Sequence, residues 1–376
     1  MRVEMHALFK SFLEAHAAEP RESVVFSMAP APTLGEFLGD LDPSLPLDWS
    51  GKSFQGLPSL REKILARGGF RSGPGDVLVT AGTAEANFLA ISQLVRPGDR
   101  MVVDVPGWPQ PLVLGEAIGA DVVRIRRREA EGWRLDLDEL ESLVTDRTRL
   151  IFLCNPNNPT GRVLSRPELE RAAGIADRVG AYLLCDEVYS GLEWDGQSTP
   201  RAADIYERGI STGSVSKVLG LQGLRTGWLV CRDPSLVLDA MVLREDTSEI
   251  MNVLGEYVAD LALNEDRYRT AVERARSIGS ANLDRIDEFV ASRRELSWER
   301  PQAGLIGFCR LEPPLDGDEL SRILLREPYR TFVMSGSAYG YPDHVRVGAG
   351  GSGPDGISRG LLKLGECLDA LGEKRS

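Results

Sequence analysis

The chain has 376 residues, 42% hydrophobic and 27% charged, a globular mixture long enough for about two or three domains. Its 44 Lys and Arg against 56 Asp and Glu leave a net charge of −12, which argues against a nucleic-acid partner, because non-specific affinity comes from cations that neutralise phosphates. Three histidines, and five cysteines without paired spacing, argue against a metal centre and a disulfide framework.

In chain order, Met5–His16 reads as a short helix, and Pro30, Pro32 and Pro46 mark an irregular crossing after it. The amino terminus lacks an apolar core of signal-peptide length, and no later run reaches about 18 uninterrupted apolar residues. A soluble, cytoplasmic protein without a membrane partner is expected. From Val77 onward, β-rich apolar runs alternate with amphipathic stretches. The runs are Val77–Ala81, Met101–Val105, Asp121–Arg126, Leu150–Cys154, Ala181–Cys185, Gly209–Gly213 and Gly227–Cys231. The stretches between them, such as Glu85–Val95, Leu137–Leu143 and Arg166–Val179, carry apolar residues near helical spacing. This alternation predicts an α/β fold with a mostly parallel central sheet covered by helices and ligands gathered at the carboxyl ends of its strands. Beyond it, a helical stretch Thr247–Ser292 precedes strand-like pieces at Gly307–Leu311, Thr331–Ser335 and Val345–Val347, and then a last helix, Ile357–Leu371. The expected division is 1–44, a helix and crossing segment packed with a small domain; 45–245, the large domain; and 246–376, a smaller α+β domain with an interdomain helix.

Ser214-Val215-Ser216-Lys217 directly follows an apolar run, and Arg225 lies eight residues on in a Gly-flanked turn. Hydroxyl donors and a guanidinium fork suit a phosphate, while nearby cations and desolvation depress the pKa of a reactive lysine. The same residues satisfy Ser-x-x-Lys, but the Ser-Asp-Asn and Lys-Thr-Gly partners of that serine-hydrolase motif occur nowhere in the chain. Gly348-Ala349-Gly350-Gly351-Ser352-Gly353 fits a dinucleotide fingerprint, yet the chain ends after one more helix, so it reads as a glycine-rich turn. Asn155-Pro156-Asn157-Asn158-Pro159-Thr160-Gly161 and Asp186-Glu187-Val188-Tyr189 each end an apolar run, offering an amide, a carboxylate and a phenol where an α/β site should lie. Gly82-Thr83-Ala84 lies between a strand and a helix, where backbone N–H groups and the helix dipole receive anions. Trp108 sits in the loop Pro106-Gly107-Trp108-Pro109.

Taken together, Asn158-Pro159-Thr160-Gly161, Asp186-x-x-Tyr189, Ser214-x-Ser216-Lys217 with Arg225, and a late Arg346 resemble the class I/II aminotransferases, pyridoxal-phosphate enzymes of fold type I. The resemblance runs in order over roughly residues 50–350. It implies a pyridoxal 5'-phosphate cofactor joined to Lys217 as an internal aldimine, and an α-amino acid substrate processed through external aldimine and quinonoid intermediates. Lys217 would move the Cα proton, Asp186 would pair with the pyridinium nitrogen, and Asn158 and Tyr189 would meet the ring's phenolic oxygen. Gly82, Thr83, Ala84, Ser214, Ser216 and Arg225 would hold the phosphate, Trp108 would stack on the ring, and Arg346 would clamp the substrate carboxylate. A 2-oxo acid co-substrate and a homodimer are also implied.

The match departs from the family pattern on the amino-terminal side. The stretch Trp49–Arg61 lacks the tyrosine that reaches the partner subunit's phosphate in many relatives, leaving Lys52 or Ser53 as substitutes. Phe26–Pro32, including Ala29, should face the substrate but lacks the usual Gly-rich pattern. The short first helix looks more like the branch containing capreomycidine synthases and arginine oxidases. That branch implies an alternative, a lyase, cyclase or oxidase acting on arginine or a hydroxyarginine, with Glu14 as guanidinium partner. The histidine expected of the oxidases within residues 27–32 is absent. No DNA-binding domain precedes residue 20, which counts against the regulatory half of a transcription factor.

Overall fold

The computed structural model describes residues 2–48, 53–351 and 353–373. A seven-stranded sheet forms its centre, in the spatial order Val77–Thr80, Gly227–Cys231, Gly209–Ser214, Tyr182–Asp186, Thr148–Cys154, Arg100–Val105, Asp121–Arg126. All neighbours pair parallel except Gly227–Cys231, which runs antiparallel to both strands beside it. The apolar runs are continuous because both faces are covered. Leu150 and Phe152 join a core with Leu89 and Ile91 of helix Thr83–Leu94, whereas Ile151 and Leu153 join one with Leu169 and Ala172 of helix Arg166–Asp177. Side chains alternate across a strand, so one run feeds two cores. Each fully buried side chain of this size contributes about 1.5–3 kcal/mol.

A second sheet is antiparallel, in the order Met334–Ser335, His344–Gly348, Ile306–Leu311, Leu296–Trp298. Helix Ala7–Ala18 packs here, with Leu8 and Ala15 against Phe308, Met334 and Tyr339, and the rings of Phe12 and Phe332 meet edge-on at 5.6 Å. The chain then runs Glu22–Ser23 parallel to Thr331–Phe332 and lies along the glycine-rich segment. The N–H groups of Gly348, Gly350 and Gly351 donate to the carbonyls of Val24, Phe26 and Met28. A Cβ at Gly350 would stand 2.1 Å from the Met28 carbonyl oxygen, so these glycines admit a backbone rather than a dinucleotide.

Two readings change in detail. The long helical stretch is two helices, Val253–Ala262 and Glu265–Ala291, because Asn264 takes an extended conformation between them. Thr331–Ser335 divides between two sheets. Helices Pro58–Gly68, Gln110–Ile118 and Pro234–Glu245 were not evident from periodicity, although each carries a proline in its first turn, a start signal that needs no amide donor. Among the described residues, no helix is long and apolar enough to cross a membrane. Nor is any group of three or more His, Cys, Asp or Glu residues arranged to hold a metal ion. All five cysteines are buried and none forms a disulfide.

Candidate active site

Six of the seven strands run the same way and end at one edge of the large sheet, and a cavity of about 300 Å³ opens there. Cys154, Asp186 and Ser214, each the last residue of its strand, line it, and Thr83 enters from the first turn of helix Thr83–Leu94. The sequence alternation therefore delivers its strand-end side chains to one place.

One corner is built for an anion. Thr83, Ser214, Ser216 and Arg225 line it. The Thr83 hydroxyl is buried with no hydrogen-bond partner among the described residues, an orphan donor beside a helix N-terminus. Gly82 has φ +83°, and a Cβ there would lie 2.5 Å from Arg225 Nη2, so only glycine lets the guanidinium approach this turn. Arg225 itself is left-handed at φ +52°, which costs a non-glycine residue about 1–2 kcal/mol. Its Nη1 donates to the Gln222 carbonyl at 3.0 Å, which fixes the side chain.

The middle of the cavity holds Asp186 and Lys217. Asp186 accepts from Asn87 Nδ2 at 2.9 Å and from the Val188 N–H at 3.2 Å, and Thr212 Oγ1 donates to Asn87 Oδ1 at 2.8 Å, which fixes the amide's orientation. Burial pushes the Asp186 carboxyl up to about 6, against the opposing pull of these hydrogen bonds and of Lys217. Lys217 Nζ donates to Ser27 Oγ at 3.3 Å and lies 5.4 Å from the centre of the Tyr189 ring. Burial, then the positive charges of Arg346 and Arg225, lower its pKa to about 8, with Asp186 opposing them. The neutral amine therefore gains population as pH rises through about 8. Capture of pyridoxal phosphate by cofactor-free protein, followed by absorbance, should accelerate from pH 6 and level off above that midpoint, and Arg346→Gln should move the midpoint upward by removing a neighbouring cation. A flat profile, or a midpoint unmoved in the variant, would contradict this electrostatic account.

The far wall joins the two sheets. Arg346, buried on strand His344–Gly348, donates Nη2 to the Val25 carbonyl at 2.8 Å and Nη1 to the Tyr339 hydroxyl at 2.9 Å. The Tyr339 hydroxyl in turn donates to Asn158 Oδ1 at 3.3 Å. The Tyr189 hydroxyl lies 3.0 Å from Ser27 Oγ, and burial holds its pKa up at about 12. Behind Asn158, Asp104 and Arg127 form a buried ion pair at 2.8 Å, and Asp104 also accepts from Asn157 Nδ2 and the Cys154 N–H, bracing the Asn-Pro loop.

Thr83, Ala84, Trp108, Asn158, Asp186, Tyr189, Ser214, Ser216, Lys217, Arg225 and Arg346 thus share one cavity, with Gly82 at its edge. Two candidates fall outside it. Glu14 is 59% exposed and pairs with Lys10 at 3.8 Å, on the solvent side of its helix. Ala29 donates its N–H to the Lys217 carbonyl at 2.8 Å and lines a second cavity with Pro30 and Pro32. Lys52 lies outside the described residues, and Ser53 accepts from the Gln55 N–H at 3.2 Å. Of the segment Phe26–Pro32, Phe26, Ser27 and Met28 line the cavity, whereas sequence reasoning missed Asn87, Tyr339 and Phe12. Only Asn87 carried a signal, as a polar residue on a helix face otherwise made of Ala86, Leu89, Ala90 and Ile91.

The model of the family "Aminotransferase class I and II" matches residues 51–357. The chain is 31% identical over 320 residues to capreomycidine synthase of Streptomyces vinaceus, spanning 84% of this chain and 80% of that one. It is 27% identical over 336 residues to an aspartate aminotransferase of Streptomyces avermitilis, spanning 84% and 81%. The crystal structure of a PLP-dependent aminotransferase from Streptococcus suis superposes with a TM-score of 0.90 at 26% identity, over 98% of this chain and 99% of that one. Pyridoxal phosphate fits the residues present: the orphan Thr83 hydroxyl and Arg225 suit its phosphate, and a strand-end carboxylate faces a half-buried lysine across the cavity.

Proposed function

The chain belongs to the class I and II aminotransferases, enzymes that depend on pyridoxal phosphate, and we propose that it transfers the α-amino group of an L-amino acid to a 2-oxo acid. The observation that carries this reading is the meeting of Lys217, Asp186 and Arg346 in one cavity with an anion corner made by Thr83, Ser214, Ser216 and Arg225. When bound, the cofactor supplies an electron sink for charge that develops at the substrate Cα. Asp186 keeps a proton on the ring nitrogen, and Asn87 and Thr212 hold its carboxylate in place. Arg346 receives the α-carboxylate in its fork, oriented by Tyr339 and the Val25 carbonyl. Lys217 Nζ removes the Cα proton and returns it, a task suited to an amine whose pKa is near 8. Asn158 and Tyr189 offer an amide and a phenol to the ring's hydroxyl.

A homodimer in a reducing, cytoplasmic compartment belongs to this reading. Leu34, Leu38, Leu47 and Phe54 are 51–70% exposed within one short stretch, which supports self-association, and the buried cysteines without disulfides suit such a compartment. Similarity to capreomycidine synthase favours a second reading, a lyase or cyclase acting on an arginine derivative. Incubation with single amino acids and 2-oxoglutarate, followed by mass spectrometry, separates the two. The first reading expects a matching 2-oxo acid and glutamate in equal amounts. Consumption of an arginine derivative without glutamate would overturn it.

A further inference from the structure

Ser27 bridges two groups to which the proposed function gives separate tasks. Its Oγ accepts from Lys217 Nζ at 3.3 Å and lies 3.0 Å from the Tyr189 hydroxyl. Nζ itself stands 5.4 Å from the centre of the Tyr189 ring, so the serine hydroxyl is the polar link between lysine and phenol. Ser27 and Tyr189 are only 1% and 2% exposed, and all three side chains belong to one chain, so the link is complete within a single protomer.

Backbone contacts place the serine from both sides. Gly350 and Gly351 donate to the carbonyls of Phe26 and Met28, which flank it, and the Ala29 N–H donates to the Lys217 carbonyl at 2.8 Å. The segment is thereby tied to the lysine's own backbone.

A hydroxyl has one proton to donate and lone pairs with which to accept. An ammonium at Lys217 can only donate, so Ser27 accepts from it and turns its own proton to the Tyr189 oxygen. The Tyr189 proton then points away from Ser27. A neutral amine offers a lone pair, and both hydroxyls reverse: Tyr189 donates to Ser27, and Ser27 donates to Nζ. The direction of the chain follows the charge on Lys217.

We infer that Ser27 is a positioning residue that couples the proton on Lys217 to the orientation of the Tyr189 proton. Its use in the reaction rests on the proposed function. While Lys217 holds the Cα proton, the phenol is turned to donate to the ring's hydroxyl oxygen; once that proton has been returned, the phenol turns back to Ser27. Other groups face Nζ and set its ordinary midpoint: Arg346 from strand His344–Gly348, Asp186 and Cys154 from the ends of two parallel strands, and Arg225 from the turn beyond Lys217. The coupling is the part of the response that travels through Ser27.

The pH midpoint for capture of pyridoxal phosphate by cofactor-free protein reads the Lys217 amine. Ser27→Ala removes an acceptor from the ammonium, and a hydrogen bond to a charged group outweighs one to a neutral amine, so the midpoint should fall by about one pH unit. Tyr189→Phe keeps the ring beside Nζ but leaves the Ser27 proton without its acceptor whenever Lys217 is charged, so the midpoint should fall here as well. In the double variant the tyrosine change should add nothing to the serine change, and Ser27→Thr, which keeps the hydroxyl, should stay near the parent. An unmoved midpoint in Tyr189→Phe would overturn the inference, and that variant decides alone if alanine at position 27 prevents folding. Shifts that add in the double variant would overturn it too, because each residue would then act on the lysine directly. If the coupling fails while an amino acid and 2-oxoglutarate still give a 2-oxo acid and glutamate, the proposed function stands without it. A coupling that holds in an enzyme forming no glutamate would remove the aminotransferase reading instead.

Discussion

Lys217→Ala is expected to lower kcat at least about 10³-fold and to end covalent retention of the cofactor. Two losses combine in it. A positioned proton carrier is worth about 10²–10⁴ in rate, and here the amine is held at the cavity centre by Ser27 and tuned by burial and by Arg346. The attachment point goes as well. Borohydride treatment of the unaltered enzyme should fix the cofactor on the peptide containing Lys217, and the variant should release it on denaturation. A variant that keeps the visible spectrum and the labelled peptide of the unaltered enzyme would move the attachment to another lysine.

Asp186→Asn should cost about 10³-fold or more in kcat/KM, because under the proposed function it removes the buried charge partner of the ring nitrogen. Its effect on stability has the opposite sign. The folded protein holds this carboxyl at about 6, above its ordinary 3.8, so the native state binds more protons than the unfolded chain between those values. Stability from this group therefore falls as pH rises through that window and stays reduced above it. At pH 7.5 the cofactor-free Asp186→Asn variant should melt at the same temperature as the parent or higher, while the cofactor-loaded variant should melt lower than the loaded parent. Calorimetric scans check both. Lower stability of the cofactor-free variant would mean that the carboxylate serves mainly to hold Asn87 and Thr212.

Strand positions and the motifs that end them were legible because an apolar run followed by Asn, Asp or Ser is a local pattern, and the alternation of strand and helix brings such ends to one edge. The position of Glu14 was not. At about 100° per residue, Glu14 stands roughly 200° around its helix from Phe12, so when Phe12 turns to Phe332 and the cavity, Glu14 must face solvent. Nothing local announces that orientation, because the partner ring lies some 320 residues away in sequence. Tyr339 escaped for the same reason: it reaches its site through packing between the two sheets. The glycine-rich segment misled in another way, since its composition records a backbone neighbour rather than a ligand.

The antiparallel strand Gly227–Cys231 has an evolutionary consequence. Ser214 and Gly227 are register partners, so the intervening segment leaves the sheet and returns to it at the same edge, carrying Lys217 and Arg225 on a closed bracket. The parallel connections cross to the opposite edge through helices, where an added residue can be absorbed far from the cavity. The bracket offers no such slack: an insertion between Lys217 and Arg225 would displace one of them relative to the other. Length variation among relatives should therefore accumulate in the crossovers and be purged from the bracket, whatever substrate each enzyme has come to use.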